Sequence, residues 1–147
     1  MPLITLQIQP NGPILTALIH VSTPRFQALT AAKQTVPPAV TGLFLLDTGA
    51  SSTCVDPALI ASLALPQIGA VMISTPSTGG APVRCDQFDA SIMLPGSRSD
   101  RALFIPALPI IETHLRSQGI DLLIGRDVID GCMLVYNGPT RSVTLAH

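Results

Sequence analysis

Proline recurs along the whole chain and limits the structures that it can form. The 147 residues include 14 prolines and 11 glycines, and a proline inside a helix removes a backbone hydrogen bond and clashes with the preceding turn. Glutamate and lysine, which usually coat exposed helices, occur only as Glu112 and Lys33. This pattern favours strands and turns over a helical bundle. We therefore predict an all-β fold with one or two short helices.

Charged residues are few, and the two signs are mixed along the chain. They make up 12% of the sequence, which is about half the usual share, whereas apolar types make up 47%. This composition excludes a disordered, charge-driven segment. A net charge of −1 offers no basic surface, so nucleic acid is not an expected partner. The length predicts a single domain, residues 1–147, and the scarcity of surface charge suggests self-association.

Two uncharged stretches have the hydropathy of a membrane segment but not its continuity. Residues 1–24 are divided by Pro10-Asn11-Gly12-Pro13 into pieces too short to span a bilayer as a helix, and they lack a basic start. Residues 57–83 are interrupted by three further prolines and by Gly79-Gly80. We therefore expect a cytoplasmic protein with no membrane partner.

The cysteines and histidines fit no metal site or disulfide framework. Cys54, Cys85 and Cys132 are an odd number with wide gaps, so we expect buried thiols in a reducing compartment. Three scattered histidines predict no metal centre, and no cofactor is implied. Nucleophilic catalysis is a weak alternative because no Gly-x-Ser-x-Gly element accompanies the candidate groups. Those groups are Ser51, Ser52 and Cys54, with His20, His114 or His147 as a base.

Two apolar runs, each followed by a polar turn that contains glycine, are the best candidates for core strands. Residues 42–46 are followed by Asp47-Thr48-Gly49, and residues 122–124 by Gly125-Arg126-Asp127. A carboxylate at the end of a core strand is costly unless it is hydrogen-bonded or functional. Asp47 is therefore either the closing residue of an Asx turn or a catalytic group.

The remaining pattern predicts short elements separated by turns. Asp56 is expected to cap a short helix that begins at Pro57 and ends before Pro66, and Asp127 to lie in the first turn of another. A loop or short helix is predicted within residues 22–39 and a helix over residues 110–118. Strands are predicted at 3–9 and 14–21, joined as a hairpin, and at 71–75, 83–94, 101–105, 133–136 and 141–145.

The segment Phe44-Leu45-Leu46-Asp47-Thr48-Gly49-Ala50 resembles the active-site motif of aspartic proteases. Alanine rather than serine at position 50 is similar to the retroviral-type, single-domain branch, the retropepsins. Three further features resemble that family in order and spacing. They are the Gly79-Gly80 turn where the family carries its flap, the element Leu123-Ile124-Gly125-Arg126-Asp127, and a C-terminal pair of strands like those of bacterial aspartyl-protease-like proteins, Tyr136-Asn137-Gly138-Pro139 followed by Val143-Thr144-Leu145.

The resemblance implies a fold and an activity. The fold is a closed β-barrel equivalent to half of a two-domain acid protease, with an active-site loop at residues 43–52, a flap at about 71–88 and a second hydrophobic-glycine element at 122–127. The activity is that of an endopeptidase acting on polypeptides through two carboxyl groups that share a proton. Because the chain has a single Asp-Thr-Gly, the resemblance implies a two-fold homodimer with Asp47 of each copy at the axis.

The resemblance also assigns roles to individual residues. The catalytic group is Asp47, Thr48 bonds across the two-fold axis, and the carbonyl of Gly49 faces the substrate. The expected substrate-binding residues are Gly49, Ala50, Thr78, Gly79 and Gly80. Structural support of the site is expected from Ile124, Gly125 and Arg126.

Two departures from the family pattern alter these expectations. Ser51 replaces an aspartate that pairs in many viral members with the arginine equivalent to Arg126, so another acid is expected to pair with Arg126. Ala50 cannot stabilise the ionised carboxylate as a serine hydroxyl would, which predicts a mildly acidic optimum. The groove is expected to prefer apolar residues around the scissile bond, with a lining that includes Leu43, Leu45, Ile73 and Val83. The alternative function is a dimeric peptide-binding or scaffolding module of the same fold with little or no proteolytic activity.

Overall fold

The structure is a computed structural model, and it describes residues 1–75 and 79–147. Strands dominate these residues, and the helices are short. In chain order the elements are β1 (Leu3–Gln7), β2 (Ile14–Val21), α1 (Thr23–Ala31), β3 (Val40–Leu46), β4 (Cys54–Val55), α2 (Pro57–Ser62), β5 (Gly69–Ile73), β6 (Val83–Leu94), β7 (Leu103–Glu112), a 3₁₀ turn (Arg116–Gln118), β8 (Leu122–Ile124), α3 (Arg126–Ile129), β9 (Met133–Asn137) and β10 (Ser142–Ala146).

Six strands close into a barrel. Their order is β2, β3, β8, β4, β7 and β6, and β6 pairs back with β2. Closure leaves no free edge within the ring. Strand β5 lies outside it and forms an antiparallel hairpin with β6, in which Val71 is opposite Cys85. The prediction of an all-β, closed-barrel fold with a few short helices is confirmed.

A second sheet brings the two ends of the chain together. Strand β10 lies between β1 and β9 in antiparallel register, so that Thr144 is opposite both Thr5 and Val135. The inner face contributes Ile4 and Leu145, which are 3% and 0% exposed, to the hydrophobic core. The predicted hairpin between β1 and β2 is wrong. The turn at residues 9–12 forms, but β1 pairs with the C-terminal strand instead.

The predicted helix over residues 110–118 is also wrong. Strand β7 continues to Glu112, where Ile110 and Ile111 are buried opposite Phe88 and Gln87 of β6. Two consecutive β-branched residues suit this pairing. Pro109, read as a helix start, lies within β7, where the described strands offer a pairing partner on one side only. An unpaired strand edge tolerates a proline.

The helix-cap predictions depended on local sequence, and the structure bears them out. Asp56 caps α2 through a bond from the N–H of Ala58 to Oδ1, 3.0 Å, and Pro57 is the first helical residue. The region predicted as a loop or short helix contains α1, capped by Ser22. None of the helices in the described ranges is both long and apolar enough to cross a bilayer.

Asp56 also joins α2 to the segment after β7, which gives a prediction for stability. Its second carboxylate oxygen accepts bonds from the N–H groups of Leu115 (2.9 Å) and Arg116 (3.0 Å). Burial acts to raise the pKa of Asp56, but these backbone donors outweigh burial and hold it below its ordinary value. The carboxylate therefore stabilises the fold above its unfolded-state pKa of about 3.9, and this contribution is lost as the pH falls through the lower folded-state value.

Asp56→Asn is expected to lower the free energy of unfolding at neutral pH by about 1–3 kcal/mol. The difference from the wild type should shrink below about pH 4, where the wild-type carboxylate begins to be protonated. Urea unfolding at several pH values measures both effects. Asp130→Asn, at an exposed carboxylate, is the matched control and should change stability little. A deficit that did not depend on pH would contradict this role for Asp56.

Candidate active site

Asp47 leaves the barrel where two parallel core strands end side by side. Leu46 of β3 is paired with Ile124 of β8, and the N–H of Asp47 donates to the carbonyl of Ile124 at 2.9 Å. The side chain is half-buried, and its Oδ1 accepts a bond of 2.8 Å from the N–H of Gly49. The carboxylate thus closes a local turn. It also borders a groove, so the two interpretations of Asp47 are compatible.

Gly49 lies against the carboxylate of Asp47. A Cβ atom at this position would be 3.0 Å from Oδ1 of Asp47, and a contact this short would force the carboxylate to move. Thr48 and Gly49 are exposed, whereas Ala50 is half-buried. The Asp-Thr-Gly turn therefore holds one carboxylate in a fixed position and presents its other two residues at the surface.

Arg126 holds this turn from the other motif. Its Nη1 donates to the carbonyl of Thr48 and its backbone N–H to the carbonyl of Ala50, both at 2.9 Å. The expectation that Arg126 pairs with another acid is wrong for the described residues, in which the ion pairs are Arg84 with Asp86 and Arg116 with Asp121. A carbonyl occupies the guanidinium because the turn brings the backbone of Thr48, rather than a carboxylate, within reach.

Gly125 allows the two motifs to touch. A Cβ atom here would lie 2.6 Å from the carbonyl carbon of Ser52 and 2.9 Å from its nitrogen. These are backbone atoms, which cannot rotate away as a side chain could. The absence of a side chain at position 125 is therefore what lets α3 pack directly on the active-site loop.

Thr53 and Asp127 form a buried link that the sequence did not indicate. Thr53 is fully buried, and its N–H and hydroxyl each donate to Asp127 at 2.8 Å. The hydroxyl oxygen also accepts a bond of 3.2 Å from the N–H of Gly125. Asp127 does lie in the first turn of α3 as predicted, but its bonds to Thr53 join residues 74 positions apart. No local pattern signals such a pairing.

A groove of about 740 Å³ runs along this site. The active-site loop, the start of β6 and the segment after β7 form its walls, and Ile73 and Val83 line it as predicted. Leu43 and Leu45 do not. Leu43 borders a separate shallow pocket, and Leu45 packs at Gly12, where its Cδ1 would lie 2.8 Å from an added Cβ. The groove-lining residues are Asp47, Gly49, Ala50, Cys54, Ile73, Thr75, Val83, Arg84, Cys85, Asp86, Glu112, Thr113, His114, Leu115, Gln118 and Leu123.

Sequence reasoning missed the wall formed by residues 112–118. It placed this segment in a helix, and His114 was considered only as a base or a metal ligand. In the structure, His114 is an exposed residue of the groove wall, beyond the end of β7. The three candidate thiols are free and half-buried. Among residues 1–75 and 79–147, no three His, Cys, Asp or Glu side chains are grouped as a metal ion would require.

The flap residues are only partly described. Gly79 and Gly80 form a turn with positive φ values of 64° and 82°, which glycine adopts readily. Neither belongs to the groove lining, so the structure does not bring them to Asp47. Thr78, the third predicted flap residue, lies outside the described residues.

Comparisons with known proteins support the fold. No family model and no curated protein matches the chain. Among solved structures, the chain is similar to a retropepsin-like aspartic protease from Rickettsia conorii, with a TM-score of 0.56 and 12% sequence identity. The similarity covers 99% of this chain and 90% of the other. At this identity the likeness concerns the fold, and it confirms the predicted retropepsin-like architecture without indicating a particular branch.

Proposed function

We propose that this protein is an aspartic-type endopeptidase. The observation that carries the proposal is the position of Asp47, whose fixed carboxylate borders a groove of about 740 Å³ within a retropepsin-like fold. Arg126 and Gly125 support the loop of that carboxylate from the second motif. A groove of this size can hold several side chains of an extended peptide.

The proposed chemistry needs a second carboxyl group. Water attacks a peptide carbonyl when a base removes its proton and an acid protonates the carbonyl oxygen. Two adjacent carboxyl groups divide these tasks, because a shared proton leaves one ionised and one neutral. The chain has one Asp-Thr-Gly, so the second group is the partner subunit's Asp47.

In the first step, the ionised Asp47 takes a proton from water while the neutral one donates a proton to the carbonyl oxygen. The oxygen of water bonds to the carbonyl carbon and gives a tetrahedral diol. In the second step, a proton passes to the amide nitrogen, the carbon–nitrogen bond breaks, and an acid and an amine leave. The exposed Thr48 and Gly49 would lie against the partner and the peptide respectively.

Peptide binding would depend on the groove walls. Strand β6 leads into the groove at Val83, and Ile73, Leu115 and Leu123 add apolar surface. These side chains favour apolar residues beside the scissile bond. Residues 79 and 80, on the turn between β5 and β6, would have to move towards Asp47 to cover a bound peptide.

The free edge of β9 is the surface that we propose for dimerisation. Met133, Val135 and Tyr136 are 60%, 51% and 63% exposed, and β9 is an outer strand of its sheet. An unpaired, apolar strand is a template for another strand. The opposite edge, β1, is covered instead, because the N–H groups of Leu3 and Thr5 donate to the loop at residues 97–100. Strand β9 also follows α3, which holds the active-site loop.

Val135→Lys is expected to produce a monomer and to reduce peptide cleavage in parallel, because a charge would be buried at the proposed strand pairing. Sedimentation velocity at micromolar concentration measures the first effect and a peptidase assay the second. Thr5→Lys, on the same outer face of the sheet but on β1, is the matched control and should remain dimeric. A wild-type protein that sedimented as a monomer would contradict the dimer.

The proposed function is tested by incubating the purified protein with a mixed peptide library from about pH 4 to pH 7. Cleavage between apolar residues is expected, and a statine-type inhibitor, which mimics the tetrahedral diol, should prevent it. Mass spectrometry identifies the cleaved bonds. Peptide binding without cleavage at any pH would instead support the binding-module alternative.

A further inference from the structure

Two of the three free thiols face the proposed peptide groove. Cys54, on β4, and Cys85, on β6, both line it together with Asp47. Cys132 packs against the hydrophobic core instead. The mechanism proposed above uses none of these thiols, so the two in the groove are reactive groups without an assigned role.

The sheet places these two thiols on neighbouring parts of one wall. Cys54 is paired with Ile111 of β7, and Ile111 is paired with Gln87 of β6, two residues beyond Cys85 and on the same face. The Thr113 side chain, in the next part of the wall, is hydrogen-bonded to Cys54. A group attached to either sulfur would therefore project into the space beside Asp47.

The two thiols differ in their surroundings. Burial raises the pKa of the Cys54 thiol, which reduces its thiolate fraction at neutral pH, and burial does the same to Cys132. Cys85 is half-exposed on the arm that leads to the flap, and its sulfur makes only a long contact of 3.9 Å with the carbonyl of Val83. Access favours reaction at Cys85.

We propose that Cys85 is a modification site at which a small disulfide, of the class of oxidised glutathione, attaches and blocks the groove. The Cys85 thiolate attacks one sulfur of the disulfide, a new sulfur–sulfur bond forms, the original bond breaks, and one thiolate leaves. The proton lost by Cys85 passes through solvent to the leaving thiolate. An excess of free thiol reverses the exchange, so the block depends on redox conditions.

The effect on the site follows from space. A peptide-sized adduct on Cys85 would occupy part of the same cavity of about 740 Å³ that the substrate needs. It would also separate the start of β6 from the opposite wall at His114, which lines the same groove. The inference rests on the proposed function for its consequence, inhibition, but not for the reaction of the thiol itself.

The test treats the wild type and the variants Cys85→Ala, Cys54→Ala and Cys132→Ala with oxidised glutathione. Intact-mass spectrometry and peptide mapping should find one adduct, on Cys85, in every protein except Cys85→Ala. Each protein is compared with its own untreated sample. Cleavage by the wild type should fall at least about tenfold and recover with dithiothreitol, and cleavage by Cys85→Ala should not respond.

A second readout separates this inference from the proposed function. Binding of a statine-type peptide inhibitor, measured by calorimetry with Asp47→Asn protein before and after treatment, does not require hydrolysis. Loss of binding together with an adduct on Cys85 supports the inference even if no peptide is cleaved. An adduct on Cys54 or Cys132 alone, no adduct on any thiol, or a modified Cys85 with unchanged binding and cleavage would overturn it.

Discussion

Replacing Asp47 with asparagine is expected to reduce kcat/KM for peptide cleavage at least about 10³-fold while leaving the fold intact. The amide oxygen can still accept the bond that Gly49 donates to Oδ1, so the turn should survive. What is lost is a group that can exchange a proton with water. Steady-state assays with a fluorogenic peptide measure the rate, and circular dichroism with urea unfolding verifies the fold.

Asp130→Asn, which removes an exposed carboxylate outside the groove lining, is the matched control and should retain activity. Mixing the two proteins then tests whether the site is shared. If each site uses two copies of Asp47, adding an equal amount of Asp47→Asn protein to the wild type, with time for exchange, should halve the rate, to about 50%. Undiminished activity in the mixture, or cleavage by Asp47→Asn alone, would exclude the proposed mechanism.

Features set by neighbouring residues could be predicted from the sequence. The apolar run before Asp47 forms β3, and Asp56 with Pro57 begins α2, because strand patterning and helix capping depend on residues a few positions apart. The pairing of β5 with β6 follows the same rule. The position of Asp47 at the end of a core strand was therefore visible before the structure.

Features set by distant residues could not be predicted. The bond between Thr53 and Asp127 and the support of Thr48 by Arg126 join segments more than 70 positions apart. The run at Ile110 suits a helix or a strand equally until β6 is placed beside it. Leu43 and Leu45 failed as groove residues for a related reason, since the direction in which a strand residue faces depends on barrel closure.

The largest loss of stability is expected from Gly125→Ala, about 3 kcal/mol in the free energy of unfolding. The new Cβ would overlap the backbone of Ser52 at 2.6 Å. That backbone cannot retreat without breaking the bond from Arg126 N–H to Ala50 and the bonds between Thr53 and Asp127. Urea unfolding followed by circular dichroism measures the difference from the wild type.

Gly131→Ala is the matched control, because it lies just past the other end of α3 and an added Cβ would meet its nearest neighbour, the carbonyl of Val128, at an ordinary 3.5 Å. It should change stability by less than about 1 kcal/mol. The comparison separates the close approach at Gly125 from any general cost of altering this helix. If Gly125→Ala unfolded at the same urea concentration as the wild type, the loop at Ser52 would be able to move away from α3. The hydrogen bonds of Arg126, rather than the missing side chain at 125, would then be what fixes the loop that carries Asp47.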